Sequence, residues 1–494
     1  MWLTQLLERN RQCRPGRTAL VDEKRSVTWA EFHDRTLELA RGLAELGIER
    51  GDRVAVLSKD RIEVLESYFA LARLGALFVP LNHSLAEPEV AGIIERVGAV
   101  AVIGESELLD RHPELPASVR IRLALDKPAF EALGTLAAER DLPEVADTDP
   151  IAVLHTSATT GQAKGVTVDS GSFRAIALGW LVMARPTDDI VMVNCCPLYH
   201  GSMVVSLTYL AAGATVVLMP GFTPQRALTA VERHRATHMW LVPQMLRFML
   251  QAKASHRTDL SCLREILYGA APMPLDVYAD AVERLGCGFR QVYGMTEVGG
   301  PFVTLGPDEH PAPGDVTARI PCGRVVPGMS ARAVDGGGRE LPPGEIGEIV
   351  VRGPGVMRGY WNDPQATREI TLDGWIRTGD LGFMDDEGRI SLVDRTKDVI
   401  IRAGQNVYPS EIERALLTHP AVRDAAVVGM PDEDYGEVPL AYVVPEPGAD
   451  PGAAALLGHV KGLLAPYKWP RRVEFIEQVP RNPAGKIVKK LLRA

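Results

Sequence analysis

Short β-rich runs and helix-length stretches take turns along roughly the first 300 residues, and this rhythm constrains the fold more than any other feature. Arg53–Leu57, Leu77–Leu81 and Val100–Ile103 read as strands, with helices over Ile62–Arg73 and Glu87–Arg96 between them. Such alternation builds parallel sheets covered by helices, because a parallel connection needs a crossover. Met203–Pro220 is the longest apolar stretch, but Gly213 splits it into a helical part and a short strand, Thr215–Met219. From about Pro321 the texture changes. Ser330–Val334 and Glu348–Arg352, with turn residues at 336–338 and 385–388, read as hairpins of a β-rich subdomain. Near Asp394 it changes again, to strands over Asp398–Arg402, Ala425–Gly429 and Leu440–Val444 and helices over Pro409–Thr418 and Ala453–Leu464.

At 494 residues, two or more domains are expected. The reading is α/β: a large domain over 1–394, made of two layered α/β subdomains plus the β-rich one, and a small α+β domain over 395–494. The net charge of −9 argues against a nucleic-acid partner, which would call for a basic footprint. From Lys461 onward, however, nine Lys/Arg face two Glu, which suggests either a solvated face or local attraction for a polyanion. The six cysteines form no Cys-x-x-Cys pair and suggest reduced thiols. No secretory leader or membrane span is evident, so the expected compartment is the cytoplasm.

Just after the apolar run Ile151–Leu154 comes His-Thr-Ser-Ala-Thr-Thr-Gly-Gln-Ala-Lys-Gly-Val, residues 155–166. Thr156, Ser157, Thr159, Thr160, Gly161 and Lys164 offer hydroxyls, backbone N–H groups and one cation to a phosphate. The Walker spacing is absent. The stretch resembles the Thr-Ser-Gly-Thr-Thr-Gly-x-Pro-Lys-Gly signature of adenylate-forming enzymes: acyl-CoA synthetases, adenylation domains and luciferases. Ala158 stands in place of a Gly, and Ala163 in place of a Pro.

Seven further segments resemble the same family in order, so the likeness covers essentially the whole chain. Pro197-Leu198-Tyr199-His200-Gly201 is similar to the segment at the mouth of the acyl pocket, with His200 at the gate. Gly269-Ala270-Ala271-Pro272 is similar to the adenine loop, where small residues permit flat contact with a purine. In Tyr293-Gly294-Met295-Thr296-Glu297 the resemblance implies stacking on adenine by Tyr293, contact with the α-phosphate by Thr296 and Mg²⁺ binding by Glu297. It also implies that Asp380 accepts the ribose hydroxyls, that Arg395 reaches the ribose and that Lys397 is the hinge. Gly404 would line the pantetheine path, although Ala403 replaces a second Gly there. Lys486, in Pro480–Lys486, would bridge the acyl carboxylate and the α-phosphate as pyrophosphate leaves.

The resemblance implies ATP, Mg²⁺, acyl-AMP and CoA as ligands, and thioester formation from a carboxylic acid. No acid lies between Pro197 and Met219, which favours a simple carboxylic acid over an amino acid. Gly201 and Ser202 suggest room for a bulky, apolar one. Within the family, the chain resembles bacterial secondary-metabolism ligases of the platensimycin-pathway kind, for diterpenoid acids. The departures gather on the pyrophosphate side. Ala158 and Ala163 alter the phosphate loop, and Asp169, at the next helix start, would put a carboxylate near the anion. Weak or absent ATP-dependent adenylation is therefore expected, with thioesterification of acyl-AMP retained and a separate adenylating ligase as a possible partner. The alternatives are a fully competent synthetase, a ligase loading a carrier protein, a luciferase-like oxidase, and an adenylate-binding protein without activity.

Overall fold

The computed structural model describes residues 1–134, 141–156, 163–199, 201–315, 319–481 and 487–493. Two compact units emerge. One draws on Met1–Ala158, Gln162–Ser330 and Arg352–Ile376, the other on Ala331–Val351 and Arg377–Ala494.

The first unit holds two sheets. In one, the spatial order is Gly359–Tyr360, Gly165–Asp169, Pro150–His155, Leu77–Leu81, Arg53–Leu57, Ala101–Gly104, Ile121–Ala124. The strands from Pro150–His155 to Ile121–Ala124 run parallel. The first two pair antiparallel. The central strands are apolar on both faces, as strands covered on both sides must be. The helix Ile62–Leu74 is buried along its whole length and stops at Gly75, whose φ of +69° lets its N–H return to the last carbonyls.

The other sheet has nine strands. Its parallel centre is Glu265–Gly269, His238–Leu241, Val191–Asn194 and Thr215–Leu218, with Gly288–Met295 parallel on one flank. Gly213 separates Ser202–Ala212 from Thr215–Leu218 at φ +85°, as the sequence implied. The helix Trp29–Glu45 begins at a reciprocal cap: Thr28 accepts from Glu31 N–H and Glu31 accepts from Thr28 N–H.

In the second unit, Trp375–Met384 pairs antiparallel with Ile390–Arg395. Farther along, Gly436–Pro445 runs antiparallel to Val422–Asp432 and parallel to Arg472–Phe475. The helices Pro409–Leu417 and Ala453–Leu463 close over that sheet through Ile412, Leu416, Leu456 and Val460. Strand formation begins at Ile400 and not at Asp398, because Thr396–Asp398 is a single tight turn.

Candidate active site

Pro150–His155 and Gly165–Asp169 form a hairpin around the Thr- and Gly-rich stretch, with His155 opposite Gly165 and Pro150 opposite Asp169. The base of the turn is closed: Thr156 N–H donates to Lys164 O at 3.1 Å, and Lys164 N–H to Thr156 Oγ1 at 3.4 Å. Ser157, Ala158, Thr159, Thr160 and Gly161 lie outside the described residues, as do His200 and Lys486. Lys164 holds its ammonium 4.9 Å from the centroid of the Tyr360 ring. His155, at the root of the turn, is half-buried, and desolvation with the Arg96 charge lowers its imidazole pKa to about 4.

Asp169 ends the strand that follows this stretch. It lies four residues along the strand from the turn, about 14 Å away at ordinary strand rise. Its carboxylate caps the next helix through Ser172 N–H at 2.7 Å and pairs with Arg358 at 3.0 Å.

In the nine-stranded sheet, Asn194 lies level with Trp240, Leu241 with Tyr268, and Gly269 with Val292. The segments beginning at Cys195, Ala270 and Tyr293 thus leave parallel strands at one carboxyl edge, where open α/β sheets bind ligands. Gly269 has a packing reason to be Gly: a Cβ would stand 2.4 Å from Val292 O. Gly294 has one too, with Gly300 O at 2.4 Å. Ala270 holds a left-handed φ of +65°, while Ala271 is half-buried and Pro272 exposed. Tyr293 is half-buried, its ring 5.2 Å from that of Phe302. Met295 and Thr296 are half-buried too, and Glu297 is buried. Glu297 accepts a hydrogen bond from Tyr360 Oη at 2.7 Å.

In the second unit, Asp380 is buried and ion-paired with Arg395 at 2.6 Å, its strand neighbour. Gly379 before it has a φ of +69° and open space beside it. Lys397 is exposed, and desolvation still leads the causes that lower its ammonium pKa; Asp398 opposes them. Ala403 and Gly404, at φ +48° and +80°, form the two-residue turn between Arg402 and Gln405.

Residues 7–361 match the family model of the AMP-binding enzyme, and residues 411–486 that of its C-terminal domain. This chain belongs to the AMP-binding enzyme family. It is 36% identical over 501 residues to a fatty acid–acyl-carrier-protein ligase, ScoC, of Streptomyces coeruleorubidus, covering 99% of this chain and 96% of that protein. It is 37% identical over 477 residues to a feruloyl-CoA synthase of an Amycolatopsis species, covering 96% and 95%. The crystal structure of ATP-bound MatB from Rhodopseudomonas palustris superposes with a TM-score of 0.91 at 31% identity, over 99% of this chain and 98% of the other. The chain is thus an adenylate-forming ligase with the superfamily's large and small α/β domains. No described helix is long and apolar enough to cross a membrane.

Among AMP-binding enzymes the implied metal is Mg²⁺. The described residues contain no cluster of three His, Cys, Asp or Glu side chains. A lone buried carboxylate such as Glu297 still fits Mg²⁺, which is commonly held by one or two carboxylates with substrate phosphates and water.

Two ionisable side chains bonded to the motif segments escaped the sequence. Asp60, remote in the chain, accepts from Leu198 N–H at 2.9 Å and so holds the backbone there; burial raises its carboxyl pKa to about 8. Tyr360 is the other, and the only sequence signal for either would have been pairing across distance. The basic C-terminal stretch also reads differently. Lys468, Arg481, Lys489 and Arg493 pair with Glu411, Asp424, Glu413 and Asp398, so much of that charge serves internal contacts. Ser202 is small for a packing reason, since its hydroxyl accepts from the Trp240 indole at 2.9 Å.

Proposed function

We propose that this enzyme joins a carboxylic acid with an apolar body to CoA through an acyl-adenylate. In this reading Tyr293 stacks on adenine, Thr296 meets the α-phosphate, and Asp380 with Arg395 takes the ribose. Bound Mg²⁺ would supply charge neutralisation for the phosphates, with Glu297 as its protein ligand. Lys486 stabilises the charge that develops as the acid's carboxylate attacks the α-phosphate and pyrophosphate leaves. The small domain, 395–494, then turns about Lys397, withdrawing Lys486 and presenting Gly404 to the incoming thiol. The observation that carries the reading is Asp380, a buried carboxylate paired with Arg395 beside an open glycine turn, in a chain whose ligase relatives align over 96–99% of its length.

Adenylation is proposed as the slower half. Ala158 and Ala163 remain the motives, since Asp169 is occupied elsewhere. An Ala where the loop needs positive φ costs about 1–2 kcal/mol, or about 5- to 30-fold in ATP use. A separate ligase supplying acyl-AMP would then be a natural partner. The deciding experiment runs a panel of aryl and alkyl acids in ATP–pyrophosphate exchange and, separately, offers supplied acyl-AMP to CoA or to a carrier protein. Thioester formed on CoA faster than exchange supports the reading. Transfer to the carrier protein alone would replace it with the ScoC-like one, and no transfer to either would overturn it.

A further inference from the structure

Residues 357–361 form a staple between the two phosphate-facing parts of the first unit. Met357 N–H donates to Glu297 O at 2.9 Å. The next residues zip onto the strand that leaves the phosphate turn: Arg358 N–H to Thr167 O at 2.9 Å and Trp361 N–H to Gly165 O at 2.7 Å. Tyr360 itself lies opposite Val166 and is only 9% exposed. Its N–H is held by Thr367 Oγ1 at 2.9 Å, so the residue has little freedom.

From that fixed backbone, one side chain serves two charges. The hydroxyl donates to Glu297 Oε1 at 2.7 Å, and the ring lies 4.9 Å from the Lys164 ammonium. A glutamate has three rotatable bonds, and a charged hydrogen bond to one oxygen orients the other. An ammonium over an aromatic face is held without being neutralised. Tyr360 thus touches a cation with its ring and a carboxylate with its hydroxyl. We propose that Tyr360 is a positioning residue of the nucleotide site, which orients Glu297 through its hydroxyl and Lys164 through its ring for the phosphates of ATP. This rests on the role proposed above for Glu297 and on Lys164 as the cation that the sequence offers to a phosphate.

The test is equilibrium binding of ATP and of AMP to the full-length protein, by calorimetry, across a Mg²⁺ titration and without Mg²⁺. Tyr360→Phe keeps the ring and removes the hydroxyl. It should lower the Mg²⁺-dependent gain in ATP affinity about tenfold. AMP affinity and Mg²⁺-free ATP affinity should stay within about twofold of wild type. Tyr360→Leu removes the ring as well and should also weaken Mg²⁺-free ATP binding. An unchanged Mg²⁺ response in Tyr360→Phe overturns the inference, and so does equal weakening of ATP and AMP together with a lowered Tm. Wild-type protein that binds neither nucleotide would overturn the underlying reading of the site, and the inference with it.

Discussion

Lys489 reaches Glu413 across 2.8 Å, and both side chains are largely withdrawn from water. Burial alone would lower the Lys489 ammonium pKa, yet Glu413 and Asp394 hold it above its ordinary value. The pair fixes the chain three residues beyond Lys486. On the other side of that segment, Arg481 is bonded to Asp424 and bridges to Ile487. Breaking a buried pair leaves the surviving charge uncompensated, at about 3–5 kcal/mol, whereas replacing both partners by apolar groups is often neutral. Lys489→Met should therefore lower stability by roughly that amount, and Glu413→Leu with Lys489→Met should recover most of it. Denaturant titration of the single and double variants checks this; additive losses would show that the pair contributes little.

Asp60 gives a pH dependence with a definite sign. Its carboxyl pKa is raised to about 8 in the folded protein, first by burial, against about 4 in an unfolded chain. A raised folded pKa means that the native state keeps the proton. Its stabilising contribution is full below about pH 4 and is lost as the pH rises toward 8. The groups around it are Tyr199 and Cys196, both held protonated by burial first, so neither offsets the loss in that window. Asp60→Asn resembles the protonated acid and can still accept from Leu198 N–H. Its stability should fall less than wild type between pH 5 and 8 in thermal melts; parallel curves would sink the assignment.

How far the sequence reaches is visible at these same residues. Arg53–Leu57 and Leu77–Leu81 were legible as strands to the residue, because apolar runs bounded by turns and helices have few alternatives. Ala425–Gly429 and Leu440–Val444 were placed but cut short. The strands extend to Val422–Asp432 and Gly436–Pro445 because each pairs with the other along a long hairpin, which single-strand patterns do not report. Asp398 was read as part of a strand, and its actual role depends on Arg493, 95 residues away. Motif residues announce themselves by local spacing. Asp60, Tyr360 and Glu413 do not, because their partners lie 138, 63 and 76 residues off. Asp169 caps the helix after it through Ser172 and also pairs with Arg358, 189 residues off, a partner that local spacing does not report.

Lys397 and Lys486 separate the two half-reactions in the proposed cycle. Lys486→Ala should suppress acyl-AMP formation by 100-fold or so, while CoA capture of supplied acyl-AMP stays near wild type. Lys397→Pro fixes φ and should block interchange between the two poses of the small domain, with loss of overall turnover. Equal loss of both half-reactions in Lys486→Ala, or normal turnover in Lys397→Pro, would remove the respective role.

The phosphate loop allows a gain-of-function test. If Ala158 costs ATP use only through backbone strain, restoring Gly releases about 1–2 kcal/mol, so Ala158→Gly should speed pyrophosphate exchange about 5- to 30-fold. Ala163→Pro should add a smaller gain by reducing the freedom of the turn, up to about fivefold. Neither change should alter acyl transfer from supplied acyl-AMP to CoA, because AMP contacts are assigned to Tyr293, Thr296, Asp380 and Arg395. Asp169→Asn serves as the control: it keeps a helix cap, removes the charge paired with Arg358, and should leave exchange within about twofold, since the carboxylate is already bonded to Ser172 and Arg358. Exchange that is already fast in wild type and unmoved by Ala158→Gly would show that the loop tolerates alanine and that the enzyme is a fully competent synthetase. Exchange raised by Asp169→Asn instead would locate the defect in that charge and not in the loop.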